Sequence, residues 1–296
     1  MTRRAIFMVF LAVLAVAGPA IAAEPLHVLV VNDDGVDAPG LEALVRTFRP
    51  GGPCRVTVVA PAEQQSAMGH ALVIRRSIEV REHPPIAGWT AWAVDATPAT
   101  TARIALSTLL KSDPPDLVLS GINRGENVGT VIMYSGTVAA AREAASLGYP
   151  SIAFSLALEW GDPHPDWTAA ARWTRPVVDA IARQGLPPDV FLNVNIPRDP
   201  RSAEGYRLAR MSLAADVDSW YEVVREEGGS RWFRGHWKPS ETAASDTDVA
   251  ALEAGWVTLT PLGVDQTAYR AYPALEALAK LPVPDFPPSA GGDGKR

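Results

Sequence analysis

The stretch Leu26-His27-Val28-Leu29-Val30-Val31-Asn32-Asp33-Asp34-Gly35 decides the fold of this chain. Its apolar first part predicts a buried β-strand over residues 26–31, and a polar run follows at once. Downstream, Leu41, Leu44 and Phe48 share one face of a helix predicted over 40–48. A buried strand followed by an amphipathic helix is the repeating unit of α/β proteins, so this stretch sets the expected fold class.

The same alternation continues through most of the chain. Further strands are predicted over 55–59, 90–94, 116–120, 150–155, 190–196 and 256–262, and further helices over 98–110, 137–147 and 166–183. Strands and helices in this order predict an α/β fold in which helices cover both faces of a mostly parallel sheet. Two segments depart from the pattern. Residues 71–82 alternate Val, Ile and Arg as in an antiparallel β-hairpin arm, and residues 198–250 are polar, rich in Trp and Arg, and poorly periodic.

The first residues of the chain have the composition of a secretory signal. Arg3-Arg4 precedes an apolar run over 5–17, and Ala20-Ile21-Ala22 supplies the small residues that a signal peptidase needs. The apolar run is shorter than the roughly 20 residues that cross a bilayer comfortably. We therefore expect a cleaved signal peptide over 1–22 or 1–23, with a retained membrane anchor as the alternative.

Charge and composition restrict the classes of function. The net charge of −6 argues against nucleic-acid polymers as partners, because their phosphates call for a basic surface. Cys54 is the only cysteine, so an intrachain disulfide is excluded. Beyond the signal, we find no stretch long and apolar enough for a membrane span. We expect an exported protein, periplasmic in a Gram-negative organism, with no membrane contact after cleavage.

Two adjacent carboxylates, Asp33 and Asp34, follow the first predicted strand directly. Ligands of open α/β sheets bind beyond the carboxyl ends of the strands, which is where this pair would lie. Like charges this close repel each other, and burial strengthens the repulsion, so a divalent cation would stabilise the pair. Oxygen ligands favour Mg²⁺ or Mn²⁺, with Ca²⁺ as a further candidate. The structural alternative is an ordinary turn, because Asn, Asp and Gly are turn residues.

The loop after the second predicted strand, residues 60–70, carries two further candidates. Ser66 could give a hydroxyl oxygen to a metal, although the loop taken alone fits an ordinary polar surface loop. His70 could act as an acid, as a phosphate donor or as a surface residue, and the sequence does not choose among these roles.

The loop after the fourth predicted strand is rich in Gly and Asn, and Tyr134-Ser135-Gly136-Thr137 then opens a helix. A helix start offers free backbone N–H groups and a positive dipole end, which together bind phosphate. Ser135 and Thr137 add hydroxyl donors, and Gly136 allows a close approach of the backbone to an anion. N-capping by Ser135 is the structural alternative, but capping does not explain the long loop upstream.

Together these motifs resemble the SurE-type survival-protein nucleotidases, and they occur in order over nearly the whole chain from Val28 to Tyr269. The matching segments are Val31 to Gly40, Val59-Ala60-Pro61 through Ser66, Ser120-Gly121-Ile122-Asn123, Tyr134 to Val138, Leu192 to Pro197, Thr247-Asp248 and Val257 to Leu262. Ala67, Ala96 and Glu126 depart from the family's usual residues in loops that shape the substrate pocket, without removing a proposed ligand.

The resemblance implies a Rossmann-like three-layer αβα sandwich and a C-terminal extension used in forming a homodimer or homotetramer. It implies an enzyme that hydrolyses nucleoside 5′- and 3′-monophosphates with a divalent metal. By motif position, the metal ligands would be Asp33, Asp34, Ser66 and Asn123, and the phosphate ligands would be Asn127, Ser135, Gly136 and Thr137. Asp33 and Asp34 would be the catalytic pair, with Asp33 orienting or deprotonating the attacking water.

These expectations combine into a predicted domain order. It comprises a signal peptide over 1–23, an α/β catalytic domain over 24–197, a C-terminal extension over 198–281 with an oligomerisation arm and a late strand, and a disordered tail over 282–296. The Trp-rich part of the extension, which includes Trp220, Trp232 and Trp237, fits a dimer arm, a substrate lid or both.

Two other functions share some of these sequence features. An aspartyl-phosphate phosphatase of the haloacid dehalogenase type needs a nucleophilic Asp two residues before a second Asp, but Asn32 stands two residues before Asp34. An exported binding protein for phosphorylated solutes fits the export signal and the phosphate cradle. Binding alone, however, does not require the adjacent carboxylates.

Overall fold

The computed structural model describes residues 25–158, 162–213, 217–239 and 244–280. Nine of the described strands form one sheet in the spatial order β3-β4-β2-β1-β5-β6-β7-β11-β8, and β9 pairs with β10 separately. The strands are β1 (Leu26–Val31), β2 (Cys54–Pro61), β3 (Val80–Ile86), β4 (Trp89–Val94), β5 (Leu117–Arg124), β6 (Ser151–Leu156), β7 (Val190–Ile196), β8 (Tyr206–Leu208), β9 (Val217–Glu227), β10 (Ser230–Pro239) and β11 (Val257–Gly263).

The helices connect these strands. The α-helices among the described residues are α1 (Pro39–Val45), α2 (Pro98–Ile104), α3 (Gly136–Ser146), α4 (Trp167–Gln184), α5 (Asp248–Glu253) and α6 (Tyr272–Leu275). The helix predicted over 98–110 is α2 followed by one π-helical turn, Ala105–Leu109. Within the described residues, no helix combines the length and the apolar character that a bilayer span needs.

The sheet has a parallel centre of six strands with helices on both faces. The strands β4, β2, β1, β5, β6 and β7 pair in parallel, as the alternation of strands and helices predicts. Side chains of β1 alternate between the faces: Val28 and Val30 belong to the cluster that includes α1 and α4, while Leu29 and Val31 pack with α2 and α3. The predicted α/β class and αβα sandwich are confirmed.

The connections of β1 create a switch point in the sheet. The chain leaves β1 through α1 to β2 on one side, and it later adds β5 on the other side of β1. Polar groups at the carboxyl ends of β1 and β5 therefore face the crevice in which open α/β sheets bind their ligands.

The late strand predicted at 256–262 is part of the same sheet. It is β11, which pairs antiparallel with β7 and in parallel with the short β8. The residues after 197 thus extend the sheet as well as contributing the separate β9–β10 pair. The predicted division into domains remains a prediction.

The hairpin predicted over 71–82 is wrong in its position. Residues 71–79 form no strand, while β3 pairs antiparallel with β4 at the sheet edge. Val73 and Ile78 are partly buried against the apolar cluster that includes α2 and α3, so their alternation reflects loop packing. The pairing of β3 shifts register between His83 and Ile86, around two prolines that have no N–H to donate.

The long β9–β10 hairpin was not predicted as strands. Ser230 pairs with Glu227, so Gly228 and Gly229 alone form the turn, with φ values of 56° and 82°. A two-residue turn with both φ values positive matches the right-handed twist of paired strands, and glycine adopts it without strain. The Gly-Gly pair was the local signal for this hairpin.

The predicted signal peptide and the predicted disordered tail over 282–296 lie outside the described residues. So do residues 24 and 159–161 of the predicted catalytic domain and residues 214–216, 240–243 and 281 of the predicted extension.

Candidate active site

The two acidic side chains lie at the carboxyl end of β1, as predicted. Asp33 is 3% exposed, and burial followed by the charge of Asp34 raises its pKa to about 7. Burial also raises the pKa of Asp34, against the opposing effects of the backbone N–H and the guanidinium of Arg124. Both carboxyl groups thus lie where a negative charge is unfavourable without a cation.

The loop after β5 brings Asn123 to this pair. The backbone N–H of Arg124 donates to Asp34 Oδ2 at 2.9 Å, which fixes the neighbouring Asn123 beside the end of β1. Asn123 is 8% exposed and donates its side-chain N–H to the carbonyl oxygen of Gly125 at 2.6 Å. Its carbonyl Oδ1 therefore remains the side-chain atom suited to a metal.

Ser66 lies on a loop that is tied to Asp33 through the backbone. The N–H of Gln65 donates to the carbonyl oxygen of Asp33 at 2.7 Å. The Ser66 side chain is exposed, and its Oγ accepts a hydrogen bond of 2.7 Å from Gln64 Nε2. Its predicted role as a metal ligand stays a prediction.

The start of α3 packs directly against Asp33. Thr137 Oγ1 donates to Asp33 Oδ1 at 2.5 Å, and a Cβ atom added at Gly136 would stand 2.9 Å from Asp33 Oδ2. Ser135 is the N-cap of the helix and accepts from the N–H of Val138 at 3.1 Å. The predicted cradle and the acidic pair are therefore one site.

The contacts assign different tasks to the predicted phosphate ligands. The hydroxyl and the backbone N–H of Thr137 are both engaged by Asp33, so contact of Thr137 with phosphate stays a prediction. The Ser135 hydroxyl acts as an acceptor in the cap and keeps its proton for donation. The first N–H groups of an α-helix have no intrahelical acceptor. In α3 the N–H of Val138 binds Ser135 Oγ and that of Thr137 acts on Asp33, so the N–H of Gly136 is the one predicted to bind a ligand.

Asn127 lies in a buried polar network that sequence reasoning missed. Its side-chain N–H donates to Ser155 Oγ at 2.8 Å, and its backbone N–H donates to Asn195 Oδ1 at 2.7 Å. Asn193 and Asn195 both donate to its carbonyl oxygen, at 2.7 and 3.1 Å. The signal was present in β7, where two asparagines stand in an otherwise apolar strand. Direct contact of Asn127 with phosphate stays a prediction.

Asp248 fixes the same loop from the C-terminal extension. Its carboxylate is fully buried and accepts from the N–H groups of Gly129, Ser212 and Val249 at 2.9 to 3.0 Å. Helix α5 is thereby connected to the loop that carries Asn127. The sequence marked Asp248 as part of a motif without indicating this contact.

His70 does not lie free at the site. Its Nε2 is 2.7 Å from Glu143 Oε2, and Arg103 Nε is 2.5 Å from the other oxygen of the same carboxylate. Glu143 is 2% exposed. Burial would raise its pKa, but the hydrogen bond to His70 and the charge of Arg103 lower it overall. This trio connects the Ser66 loop to α3.

The fold and the site together define a doubly wound α/β protein in which a pair of acidic side chains at the carboxyl end of β1 lies against a helix N-terminus. The family model for the survival protein SurE matches residues 28–217, and the chain belongs to this family.

Individual relatives extend over nearly the whole chain. It is 40% identical to the 5′-nucleotidase SurE 1 of Thermus thermophilus over 88% of this chain and 100% of that protein. It is 37% identical to the 5′-nucleotidase SurE of Heliobacterium modesticaldum, over 82% of this chain and 88% of the relative. The crystal structure of the SurE protein from Aquifex aeolicus superposes with a TM-score of 0.73 at 32% identity, covering 86% of this chain and 99% of that one.

Proposed function

We propose that this protein is a divalent-metal-dependent phosphomonoesterase that hydrolyses nucleoside 5′- and/or 3′-monophosphates to nucleoside and phosphate. One observation carries the proposal: the start of α3 lies against Asp33, where an added Gly136 Cβ would come 2.9 Å from a carboxylate oxygen. An anion held by that helix start would lie beside the acidic pair. The relatives named 5′-nucleotidase support the same chemistry.

The residues present fit a hard divalent cation. Asp33 and Asp34 supply carboxylate oxygens, Asn123 an amide oxygen and Ser66 a hydroxyl oxygen, and Mg²⁺ or Mn²⁺ takes such ligands, with Ca²⁺ as a further candidate. The proposed donor set contains neither the Cys nor the His side chains that are the usual ligands of zinc.

Each group in the site has a task in hydrolysis. A bound cation would polarise the phosphoryl group and offset charge on the leaving oxygen. The Gly136 N–H at the start of α3 and the Ser135 hydroxyl hold phosphate oxygens. Thr137 fixes the orientation of Asp33 through its hydrogen bond, and Asp33 orients or deprotonates the attacking water. Positioning and electrostatics of this kind supply most of the catalysis in phosphoryl transfer.

The test is release of phosphate from a panel of nucleoside 5′- and 3′-monophosphates, with Mn²⁺, with Mg²⁺ and with EDTA. Asp33→Asn should lower kcat by about a thousandfold or more, because it removes a metal ligand and the group that activates water. Its melting temperature should not fall, because a neutral amide relieves the unfavourable burial of charge. Asp37→Asn is the matched control, since Asp37 is exposed and pairs with His83.

Two results would count against the enzyme. Near-normal turnover by Asp33→Asn would remove Asp33 from the mechanism. Tight binding of nucleotides without phosphate release in any divalent metal would favour the exported solute-binding protein instead.

The proposal includes export and self-association. Export to the periplasm rests on the signal-like N-terminal segment, and a fusion of residues 1–23 to a reporter that is active only after export tests it. A homodimer or homotetramer is proposed with β9–β10 as the arm, because Tyr221 and Phe233 expose apolar surface there. Light scattering of the wild type and of Tyr221→Ser/Phe233→Ser tests the arm, and an unchanged mass would exclude it.

A further inference from the structure

A basic groove runs between α1 and α4, and none of its lining residues is a proposed ligand of the catalytic site. It encloses about 670 Å³ and is lined by Arg46, Arg49, Arg172 and Arg175, with Glu42 as the single carboxylate. A groove of this volume suits a small molecule. Four guanidinium groups line the groove, and because Arg46 and Arg175 each pair with a carboxylate, its positive charge comes from Arg49 and Arg172.

The groove follows from the spacing of residues on the two helices. Pro39, Glu42, Ala43 and Arg46 of α1 lie on one face, and Thr168, Ala171, Arg172 and Arg175 of α4 lie on another. Because Ala43 and Ala171 are small, they leave space between the helices, and the longer charged side chains border that space. Trp167, which is half-buried, contributes an aromatic surface at the start of α4.

Two of the arginines already have partners. Arg46 pairs with Glu42 at 2.5 Å, and Arg175 pairs with Asp179 at 2.7 Å. The nearby carboxylate of Asp166 is likewise engaged, by a guanidinium that is not part of the groove. The carboxylates of Glu42, Asp179 and Asp166 therefore already have an arginine partner each.

The guanidinium groups of Arg49 and Arg172 have no such partner. In the part of the chain that the structure describes, neither guanidinium lies within ion-pair distance of a carboxylate, although the charge of Arg172 is near enough to Asp166 to help lower the pKa of that carboxyl. The guanidinium group of an arginine binds phosphate through two parallel hydrogen bonds. Two guanidinium groups without an ion-pair partner in one groove therefore suit a ligand with two neighbouring phosphate groups. The aromatic wall suits a planar ring beside them.

We infer that the α1–α4 groove is a second binding site, separate from the catalytic centre, for a nucleoside di- or triphosphate. Arg49 and Arg172 bind its phosphates and Trp167 contacts its base. The charge of the lining selects the phosphates, and its apolar part accommodates the ring.

The test uses ADP as the probe and calorimetry as the readout, with EDTA present so that a metal in the catalytic site does not contribute. Arg49→Gln/Arg172→Gln should weaken ADP binding by about a hundredfold, roughly tenfold for each charge-assisted contact removed. Arg183→Gln/Arg270→Gln removes two exposed arginines outside the groove and should bind ADP as the wild type does. Pyrophosphate should bind more weakly than ADP, and adenosine least.

Hydrolysis of nucleoside monophosphates by Arg49→Gln/Arg172→Gln should stay at the wild-type rate, which separates this site from the catalytic one. An equal loss of ADP binding in the control variant would show that the overall charge of the protein governs binding, and it would contradict a binding site in the groove. Unchanged ADP binding in Arg49→Gln/Arg172→Gln would overturn it as well. If that variant lost self-association and not ADP binding, the groove would be a contact between copies of this chain.

Discussion

Gly136→Ala tests the close approach between α3 and the acidic pair. A Cβ atom at this position would stand 2.8 Å from Asp33 Cβ, 2.9 Å from Asp33 Oδ2 and 2.9 Å from Pro98 Cγ. Ordinary contacts of a Cβ begin near 3.4 Å, so the crowded groups must separate by at least about 0.6 Å, the difference between 3.4 and 2.8 Å. The nearest atom is Asp33 Cβ, which moves only with its backbone, so the substitution should shift Asp33 and the start of α3 relative to each other.

The expected effects on activity and stability differ in size. Displacing a catalytic group by about 1 Å costs roughly a hundredfold in rate, so kcat/KM of Gly136→Ala should fall by about that factor. Overpacking costs about 1–3 kcal/mol, while alanine gains about 1 kcal/mol over glycine in a helix. The free energy of unfolding should therefore change by no more than about 2 kcal/mol, and the variant should remain folded.

The assays are steady-state hydrolysis of a nucleoside monophosphate with saturating Mn²⁺, and urea unfolding. Gly263→Ala is the matched control, because its added Cβ would come no closer than 3.4 Å to a residue that is not its neighbour. Wild-type kcat/KM in Gly136→Ala would refute the argument that this glycine sets the position of Asp33. So would an equal loss of activity in Gly263→Ala.

Three further predictions concern the groups around the site. Thr137→Val should lower kcat about ten- to hundredfold by releasing the orientation of Asp33, while Thr137→Ser, which keeps the hydroxyl, should retain most of the activity in the same assay. Asp248→Asn should destabilise the protein by about 1–3 kcal/mol in urea unfolding, because an amide offers one acceptor oxygen where the carboxylate binds Gly129 and two other N–H groups. The pKa of Glu143 is lowered from 4.5 in the folded protein, so its stabilising contribution is present above pH 4.5 and is lost as the pH falls through the folded value. The difference in unfolding free energy between the wild type and Glu143→Gln should therefore shrink below pH 4.5, and a constant difference would contradict this linkage.

The parts of the fold that sequence predicted are those with a strong local signal. The apolar run of β1 and the helix after it are adjacent in the chain, and the two carboxylates follow the strand directly. Since parallel strands present their carboxyl ends at one edge, the loops after β1 and β5 had to meet. The family resemblance then assigned roles to residues in those loops.

The missed features depend on pairs of residues that lie far apart in the chain. The bond between Thr137 and Asp33 joins residues 104 positions apart, and the bond between Asn127 and Asn195 joins residues 68 positions apart. Composition and periodicity describe one segment at a time, so neither contact could be predicted from them. The β9–β10 hairpin was missed for another reason: its strands carry charged and aromatic residues on both faces, and only the Gly228-Gly229 turn marked it.

The buried polar groups around the site separate into two kinds that have different physical consequences. In Glu143 and Asp248, partners stabilise the charged carboxylate. The partners of Glu143 lower its pKa, and Asp248 accepts from three backbone N–H groups. Asp33 accepts from the Thr137 hydroxyl and is also favoured by the backbone N–H groups of Thr137 and Asp33, yet burial and the neighbouring Asp34 carboxyl raise its pKa to about 7. A buried carboxylate with a purely structural role would be expected to have enough partners to stabilise its charge, as Glu143 and Asp248 do, because unpaired buried charges are costly. The raised pKa of Asp33 therefore supports the proposal that a cation binds beside it.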